Sequence, residues 1–545
     1  MSYRIAGGDF DSAGGATRQL KEQLVKIGVG AAVIRRVMIA SYEAEMNVVI
    51  HAKTGTLWAR LDGGALDLEV ADEGPGIPDV ELALREGWST ASDKAREMGF
   101  GAGMGLPNIR RNSDLFEIET RVGRGTRIRS RIILSGVEQH AQDARTVLRE
   151  APSVAADRCR QCLRCIFACP TSALRVHDHG PHVLERLCIG CAACIGECSA
   201  GVYGIDAQGA QDVQGLTVPA NALLILPHSF LAGFGAEAGP ARVLSGLGAM
   251  GFSEVRFVDE WEAALRSEAR RAAALRGPGP LPLIPPICPA VVALVESRFP
   301  SLIANLGPWL SPVEAAAEEF PLRPVVLVPA CPAQHARASA ASLTERVTAL
   351  SPARLAAAVR PFLRGEARAS VRGGAPAASF AGEPEQHLGE LSVSGVRHVL
   401  RILSAAEAGA LGGTALLNLA LCDSGCSGSP LLAADPYLSV QRWQAAGEAV
   451  EIVIGAAGAA EAAGAAPCDA MAVARRHPYV QRPGMRLDPD MGEAIRKLAA
   501  IDAEERSLPG RNCGACGAPT CVAFAEDVIM GRTAGRRCPH REETP

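Results

Sequence analysis

No apolar run in this chain approaches the length of a membrane span; the longest, residues 220–226, has the size of a buried strand. An excess of basic charge is missing too. The 55 Lys and Arg stand against 59 Asp and Glu, a formal net charge of -4, which gives no electrostatic case for nucleic acid. The opening residues MSYRIAGGDFDSAGG hold no apolar h-region, which predicts a cytoplasmic protein and so argues against disulfides. What remains is an ordinary globular composition, 48% hydrophobic, spread over 545 residues, for which about three to five domains are expected. One residue type is plentiful. There are 17 cysteines, and all but Cys468, a bystander in a small-residue linker, fall into sets of four.

Eight form two identical runs of C-x2-C-x2-C-x3-C: Cys159, Cys162, Cys165 and Cys169, then Cys188, Cys191, Cys194 and Cys198. Four thiolates per set suit iron-sulfur chemistry, whereas structural zinc usually shows pairs. The cadence resembles bacterial two-cluster ferredoxins. In that pattern the fourth cysteine crosses to the other cluster, which places Cys159, Cys162, Cys165 and Cys198 on one 4Fe-4S cluster and Cys188, Cys191, Cys194 and Cys169 on the other. Pro170 follows the first run but Ser199 follows the second, a departure that affects turn preference and leaves the ligands intact.

Upstream, apolar spacing predicts helices over 20–26 and 30–51, a strand over 65–71 and a hairpin from 116–120 and 126–133. Glu43 and Asn47 are four apart, hence on one helix face, where a carboxylate can activate a nucleophile and an amide can hold magnesium. Asp72-Glu73-Gly74-Pro75-Gly76 follows, and then Gly99, Gly101, Gly103 and Gly105 alternate ahead of a helix beginning near Leu106. Alternating glycines before a helix N-terminus make a phosphate cradle. In this order the motifs resemble the GHKL ATPase superfamily, and most closely its small serine kinases that act as anti-sigma factors. Glu43 to His51 looks like the N box, Asp72-x-Gly74-x-Gly76 the adenine motif, residues 99–106 the ATP lid, and Gly123 to Thr126 the last motif. The resemblance implies an α/β sandwich over residues 10–135 that binds ATP and Mg, with Asp72 on adenine, Asn47 on the metal and Glu43 as candidate base. Gly74, Gly76, Gly101, Gly103, Gly105 and Thr126 complete the nucleotide site. A degenerate fold that binds nucleotide without turnover remains the bland alternative.

Beyond the cysteine runs, strand-like segments at 223–227, 255–258, 325–328 and 416–421 alternate with helical stretches such as 263–275, an α/β pattern whose strands feed loops at one edge. Cys288, Cys331, Cys422 and Cys426 fall where such strands end. Their surroundings are Cys288-Pro289-Ala290-Val291-Val292 running on to Leu310-Ser311-Pro312, Pro329-Ala330-Cys331-Pro332-Ala333, and Cys422-x-x-Gly425-Cys426-x-Gly428-x-Pro430. These words resemble the three signature regions of the iron-only (FeFe) hydrogenase large subunit over residues 216–451, which implies a third 4Fe-4S cluster on those four cysteines and leaves a diiron subsite open. Several matched positions depart from the family. Its proton-relay cysteine is Ile287, its cyanide-binding lysine Gln334, a methionine near the subsite Ala330, and its relay glutamate Arg337. Thiol, cation and carboxylate are lost together, which disfavours hydrogen turnover.

At the far end Cys513, Cys516, Cys521 and Cys538 give C-x2-C-x4-C-x16-C among glycines, with a helix expected over 522–530. The set resembles the small four-cysteine Fe-S domains of electron-transfer subunits, zinc being the alternative, and marks a domain over 490–541. Residues 150–207 delimit the ferredoxin pair. The seams are a polar, helical stretch at 138–157 and Gly/Ala-rich stretches at 367–385 and 455–466. Three functions follow from these parts. One is a redox- or hydrogen-responsive signalling protein with a kinase-like module and a protein substrate; one is a divergent ferredoxin hydrogenase or bifurcating oxidoreductase subunit; one is an electron-transfer adaptor. All three imply a redox partner such as ferredoxin or a hydrogenase subunit.

Overall fold

The structure is a computed structural model that describes residues 1–10, 12–62, 64–91, 103–134, 151–205, 218–235, 237–275, 281–320, 322–339, 347–364, 372–373, 389–432, 435–445 and 474–541. The N-terminal module runs β1 (Ser2–Ala6), α1 (Gly15–Lys26), α2 (Ala31–His51), β2 (Thr54–Asp62), β3 (Ala65–Asp72), α3 (Val80–Ala83), α4 (Gly105–Arg111), β4 (Leu115–Arg121) and β5 (Gly125–Ile133). Its sheet is antiparallel throughout, in the order β1-β2-β3-β5-β4. Two of these strands add to the three read from sequence. In β1 only Ile5 is buried, and in β2 the exposed Trp58 interrupts the apolar pattern, so period-two alternation is faint there. The buried Glu45 of α2 holds the start of α1, accepting from Ala16 N at 3.1 Å, Thr17 N at 2.9 Å and Thr17 Oγ1 at 2.7 Å. A carboxylate there satisfies donors that a helix start leaves unpaired and offsets its dipole.

The ferredoxin-like module is a duplicated loop-helix unit. Strand β6 (Ser153–Val154) pairs with β9 (Tyr203–Gly204), the hairpin β7 (Leu174–His177) and β8 (Gly180–Val183) lies between, and α5 (Arg164–Ala168) and α6 (Ala193–Glu197) carry the cysteines. The expected helix over 138–157 is not what its described part forms: residues 153–154 are strand and 156–158 a single 3-10 turn, because β9 offers Ser153 and Val154 a partner.

The middle module starts with β10 (Leu223–Leu226), α7 (Ser229–Ala232), α8 (Pro240–Ala249), β11 (Glu254–Phe257), α9 (Val258–Leu275), α10 (Pro289–Arg298), α11 (Pro312–Glu319), β12 (Val325–Leu327) and α12 (Pro332–Ala338). It continues through β13 (Val347–Ala349), α13 (Pro352–Val359), β14 (Arg372–Gly373), β15 (Glu390–Ser394), α14 (Val396–Glu407), β16 (Leu416–Ala420) and α15 (Pro436–Ala445). A parallel sheet in the order β13-β12-β10-β11-β14 forms its centre. Leu224, Leu226, Val255 and Phe257 enter one core and Leu223, Ile225, Val325 and Leu327 another, so both faces are covered, as a parallel sheet requires. Successive strands leave β10 in opposite directions. That places a crevice at the carboxyl ends of β10 and β12, where open α/β sheets bind ligands. The fourth expected strand, β16, departs from the main sheet and pairs in parallel with β15.

The C-terminal module consists of α16 (Met491–Arg506) and α17 (Cys521–Ile529), and it is not separate from the N-terminal one. Leu498, Ile501, Leu508 and Phe524 belong to the same buried cluster as Leu20, Leu24, Val37 and Leu57. A second buried link joins α1 to the middle module. Lys21 pairs with Glu407 and lies 4.4 Å over the Phe299 ring. Glu407 ends α14, where a carboxylate opposes the helix dipole, so the lysine and the Ser301 hydroxyl stabilise a charge that would otherwise be misplaced. Among the described residues no helix is long and apolar enough to cross a membrane.

Candidate nucleotide and iron-sulfur sites

Helix α2 packs against α4, and the first site lies along that seam. Asn108 Nδ2 donates to Glu43 Oε1 at 2.7 Å. Burial pushes the Glu43 carboxyl up, and the Asn108 bond opposes the shift. A Cβ on Gly105 would stand 3.2 Å from Asn47 Oδ1 and 3.4 Å from Glu43 Oε2, so a bare residue lets the start of α4 approach both side chains. At the end of β3, Asp72 Oδ1 accepts from Gly74 N at 2.7 Å and Thr126 N at 3.2 Å. Burial raises its carboxyl while the two amides and His51 lower it, and burial holds His51 low against the pull of Asp72. Gly76 has φ 74°, and a Cβ on it would strike the Arg121 carbonyl. The Gly103 carbonyl accepts from Gly87 N at 3.0 Å. The lid residues Gly99 and Gly101 lie outside the described residues, as do the seam stretches 138–150, 374–385 and 455–466 and Cys468. Sequence reasoning missed Asn108, although its place in the first turn after the glycines was a usable signal.

Each ferredoxin-like run bends in the same way. Gln161 and Leu163 in the first, and Gly190 and Ala192 in the second, have φ between 51° and 64°, a turn most side chains avoid that wraps the chain around the thiols. Burial pushes the Cys165 thiol up; Tyr203, donating to its Sγ at 3.2 Å, opposes this, and neighbouring Cys159, Cys162 and Cys198 add to it. Cys191 is raised by burial and then by Cys169, Cys194 and Cys188. The structure thus brings together the first three cysteines of each run with the last cysteine of the other. An apolar-walled cavity lies among Cys169, Cys188, Cys191 and Cys194, and Ala173 N donates to Cys169 Sγ at 3.2 Å. Crowded, buried thiols disfavour ionisation by themselves; bound iron inverts that balance by holding thiolates outright. The residues present therefore fit iron-sulfur groups.

In the middle module three cysteines of the third set follow extended segments, and the fourth, Cys426, lies in the 3-10 turn Gly425–Gly428. Cys331 follows β12, Cys422 follows β16, and Cys288 follows Leu283 and Ile284, which form parallel bridges to Leu416 and Leu306. Burial raises Cys422, with Cys331 and Cys288 adding to it; burial raises Cys426, followed by Glu262, Cys288, Cys331 and Cys422. Gln334 links two of them. Its Oε1 accepts from Ala330 N at 2.7 Å, which forces Nε2 toward Cys426 Sγ at 3.4 Å, while its backbone N–H donates to Cys331 Sγ at 3.5 Å. Ile287 and Ala330 are buried, and the buried Arg337 is engaged by Glu314 at 3.2 Å. Sequence reasoning did not find Glu262, nor the buried pair in which His228 Nδ1 meets Asp259 Oδ1 at 2.6 Å. The second ferredoxin-like run abuts this site, Ala333 N donating to Gly190 O at 3.2 Å.

The last set is less enclosed. Cys516 is raised by burial, with Cys538 and Cys513 adding to it, and Asn512 Oδ1 accepts from Cys521 N at 2.8 Å, tying α17 to the Cys513 loop. Among the described residues no three His, Cys, Asp or Glu side chains sit close enough together to hold a single metal ion. From α17, Asp527 pairs with Arg175 of β7 and Glu526 with Lys26 of α1 at 3.1 Å.

Residues 29–135 match the family of histidine kinase-, DNA gyrase B- and HSP90-like ATPases, residues 151–212 the 4Fe-4S dicluster domain, and residues 508–540 an Fe-S cluster family. The serine/threonine-protein kinase RsbT of Bacillus subtilis (strain 168) is 32% identical over 120 residues, 21% of this chain and 84% of the kinase. The anti-sigma F factor of Thermoanaerobacter sp. (strain X514) is 35% identical over 101 residues, 18% of this chain and 67% of the factor. A variant of the FeFe-hydrogenase HydA1 from Chlamydomonas reinhardtii aligns over 44% of this chain and 87% of its own, with 14% identity and a TM-score of 0.31.

Proposed function

The chain belongs to the histidine kinase-, DNA gyrase B- and HSP90-like ATPase family through residues 29–135, and from that premise we propose that it is a redox- or hydrogen-responsive signalling protein. It is an iron-sulfur protein with a kinase-like ATPase module. Its four units are residues 10–135, 150–207, 216–451 and 490–541, and its four cysteine quartets each hold a 4Fe-4S cluster, which supplies reversible one-electron storage when bound. Asp72 holds adenine, Asn47 the magnesium ion, Gly74, Gly76, Gly101, Gly103, Gly105 and Thr126 the nucleotide backbone, and Glu43 takes the proton from an incoming hydroxyl. The names of RsbT and the anti-sigma F factor favour a protein as the target of this module.

One observation carries the reading: α17 begins on Cys521 and grips two modules, Arg175 of the ferredoxin-like unit and Lys26 of the ATPase. A change of cluster charge has a short, buried route to α1. Gln334, Ile287 and Arg337 favour sensing over hydrogen turnover, since an amide, an alkyl chain and a paired guanidinium replace the groups that would move protons.

The test is the affinity for a non-hydrolysable ATP analogue, measured by calorimetry on anaerobically loaded protein, oxidised and dithionite-reduced. Coupling between sites typically amounts to about 5–150-fold in affinity; equal affinities in the two states would remove the signalling reading. Linkage adds a reciprocal check, because a tenfold difference requires the nucleotide to move a one-electron cluster potential by about 59 mV. The assignment of ligands has its own test. Cys198→Ala should cost about four irons and the EPR signal of the cluster held by Cys159, Cys162 and Cys165, and Cys169→Ala those of the other. Loss of each variant's own-run cluster would reverse the assignment.

A further inference from the structure

Of the sixteen grouped cysteines only Cys162 and Cys513 are exposed. They belong to different modules yet share one face. Gly514 lies against the first ferredoxin-like helix so closely that a Cβ on it would come 2.8 Å from Phe167 Cζ and 3.2 Å from Ile166 Cδ1. Asp178 closes the junction: its carboxylate pairs with Arg536, and its carbonyl accepts from Gln161 Nε2 at 3.3 Å. Three loops therefore converge, 160–164, 511–514 and 536–538.

They carry Arg160, Arg164, Arg511, Arg536 and Arg537 against two carboxylates. Both carboxylates are already engaged, Asp178 by Arg536 and Glu197 by Arg164 at 2.9 Å. Arg160, Arg511 and Arg537 are exposed and pair with no other described residue. Just upstream, adjacent Asp157 and Arg158 add no net charge. Phe167, 55% exposed, puts an apolar spot beside this basic rim. The whole chain is net negative at -4, so the face stands out in sign. A small patch with an apolar spot and a charged rim suits a transient redox encounter, whose interfaces are among the smallest and are steered by charge.

We propose that this face docks an acidic one-electron carrier protein and is where electrons enter the chain. The proposal rests on the reading that clusters occupy the quartets of Cys162 and Cys513. One electron leaves the reduced carrier, which is oxidised, and enters a cluster of the chain, which is reduced; no bond is made or broken.

The experiment uses the full, cluster-loaded chain and an acidic plant-type 2Fe-2S ferredoxin as probe. Binding of the oxidised probe is measured by calorimetry, and the rate of cluster reduction by the reduced probe in stopped flow, from about 20 mM to about 1 M salt, over which the Debye length contracts severalfold. The triple variant Arg160→Glu, Arg511→Glu, Arg537→Glu should bind and accept electrons at least about tenfold more weakly at low salt and converge with the parent at high salt. Its iron content and its reduction by dithionite at high salt should match the parent. Should the triple variant lose iron, Arg511→Gln alone should show a smaller loss of the same salt-dependent kind. Equal binding and equal salt slopes in parent and variant, with clusters intact, overturn the proposal, as does tighter binding of a DNA duplex than of the ferredoxin. A redox-insensitive ATP affinity would instead sink the signalling reading and leave the docking result standing.

Discussion

Replacing Asp527 with alanine should destabilise the chain by about 3–5 kcal/mol, the usual cost of leaving one partner of a buried ion pair unpaired. Both side chains of the Arg175–Asp527 pair are 2% exposed. Arg175 also donates to Ser172 O at 2.7 Å and Leu174 O at 2.9 Å, so the guanidinium is held in place and cannot swing to water when its carboxylate is removed. The converse change should be milder. Arg175→Met leaves Asp527 with Arg532, whose Nε stands 3.1 Å away. The double variant Arg175→Met, Asp527→Leu should recover much of the loss, because apolar replacement of both partners is often neutral. The readout is chemical unfolding followed through cluster absorbance. Asp527 belongs to α17 and Arg175 to β7, so the ferredoxin-like and C-terminal signals should fall together in Asp527→Ala. A shift worth less than about 1 kcal/mol would mean that water reaches the pair and that the two modules are held by something else.

The second large effect separates binding from chemistry at the nucleotide site. Asp72→Ala should weaken ATP binding by at least about a hundredfold, on the order of two charge-assisted hydrogen bonds, since its carboxylate both faces the proposed adenine position and organises Gly74 and Thr126. Glu43→Gln should leave binding within about twofold. The glutamine oxygen still accepts from Asn108, so the seam between α2 and α4 keeps its geometry, while the proton acceptor is gone. Phosphotransfer to a protein target, or ATP hydrolysis, should then fall about 10²–10⁴-fold. An unchanged rate in Glu43→Gln would remove Glu43 as the base.

How much of this was legible in the sequence follows from how local each feature is. Cysteine spacing and the glycine motifs are short-range and were readable, as was the family of the N-terminal module. The strands 223–227 and 325–328 were legible because both faces of their sheet are buried, which leaves unbroken apolar runs, and 255–258 because Val255 and Phe257 alternate with the half-buried Arg256. What could not be read is long-range. Nothing near Glu262 announces that its charge acts on Cys426 far along the sequence, and His228 and Asp259 meet only because β10 and β11 are neighbours in the sheet. Glu45, mid-helix and charged, looks like a solvated position until α1 is seen to begin on it. The largest omission was the docking of the C-terminal module, since an amphipathic helix does not name the face it will cover.

That docking has a consequence in time. The buried cluster containing Leu20, Leu24 and Val37 is completed by Leu498, Leu508 and Phe524, yet a ribosome delivers the first group long before the second. At the usual pace of synthesis the interval is roughly 25–100 s. Throughout it the nascent N-terminal module displays an uncovered apolar flank of α1, while the ferredoxin-like thiols emerge ahead of the residues that will pack against them. Expressed as an isolated fragment, residues 1–135 should therefore aggregate, and in the intact chain cluster insertion and chaperone holding compete for the same half-built surface.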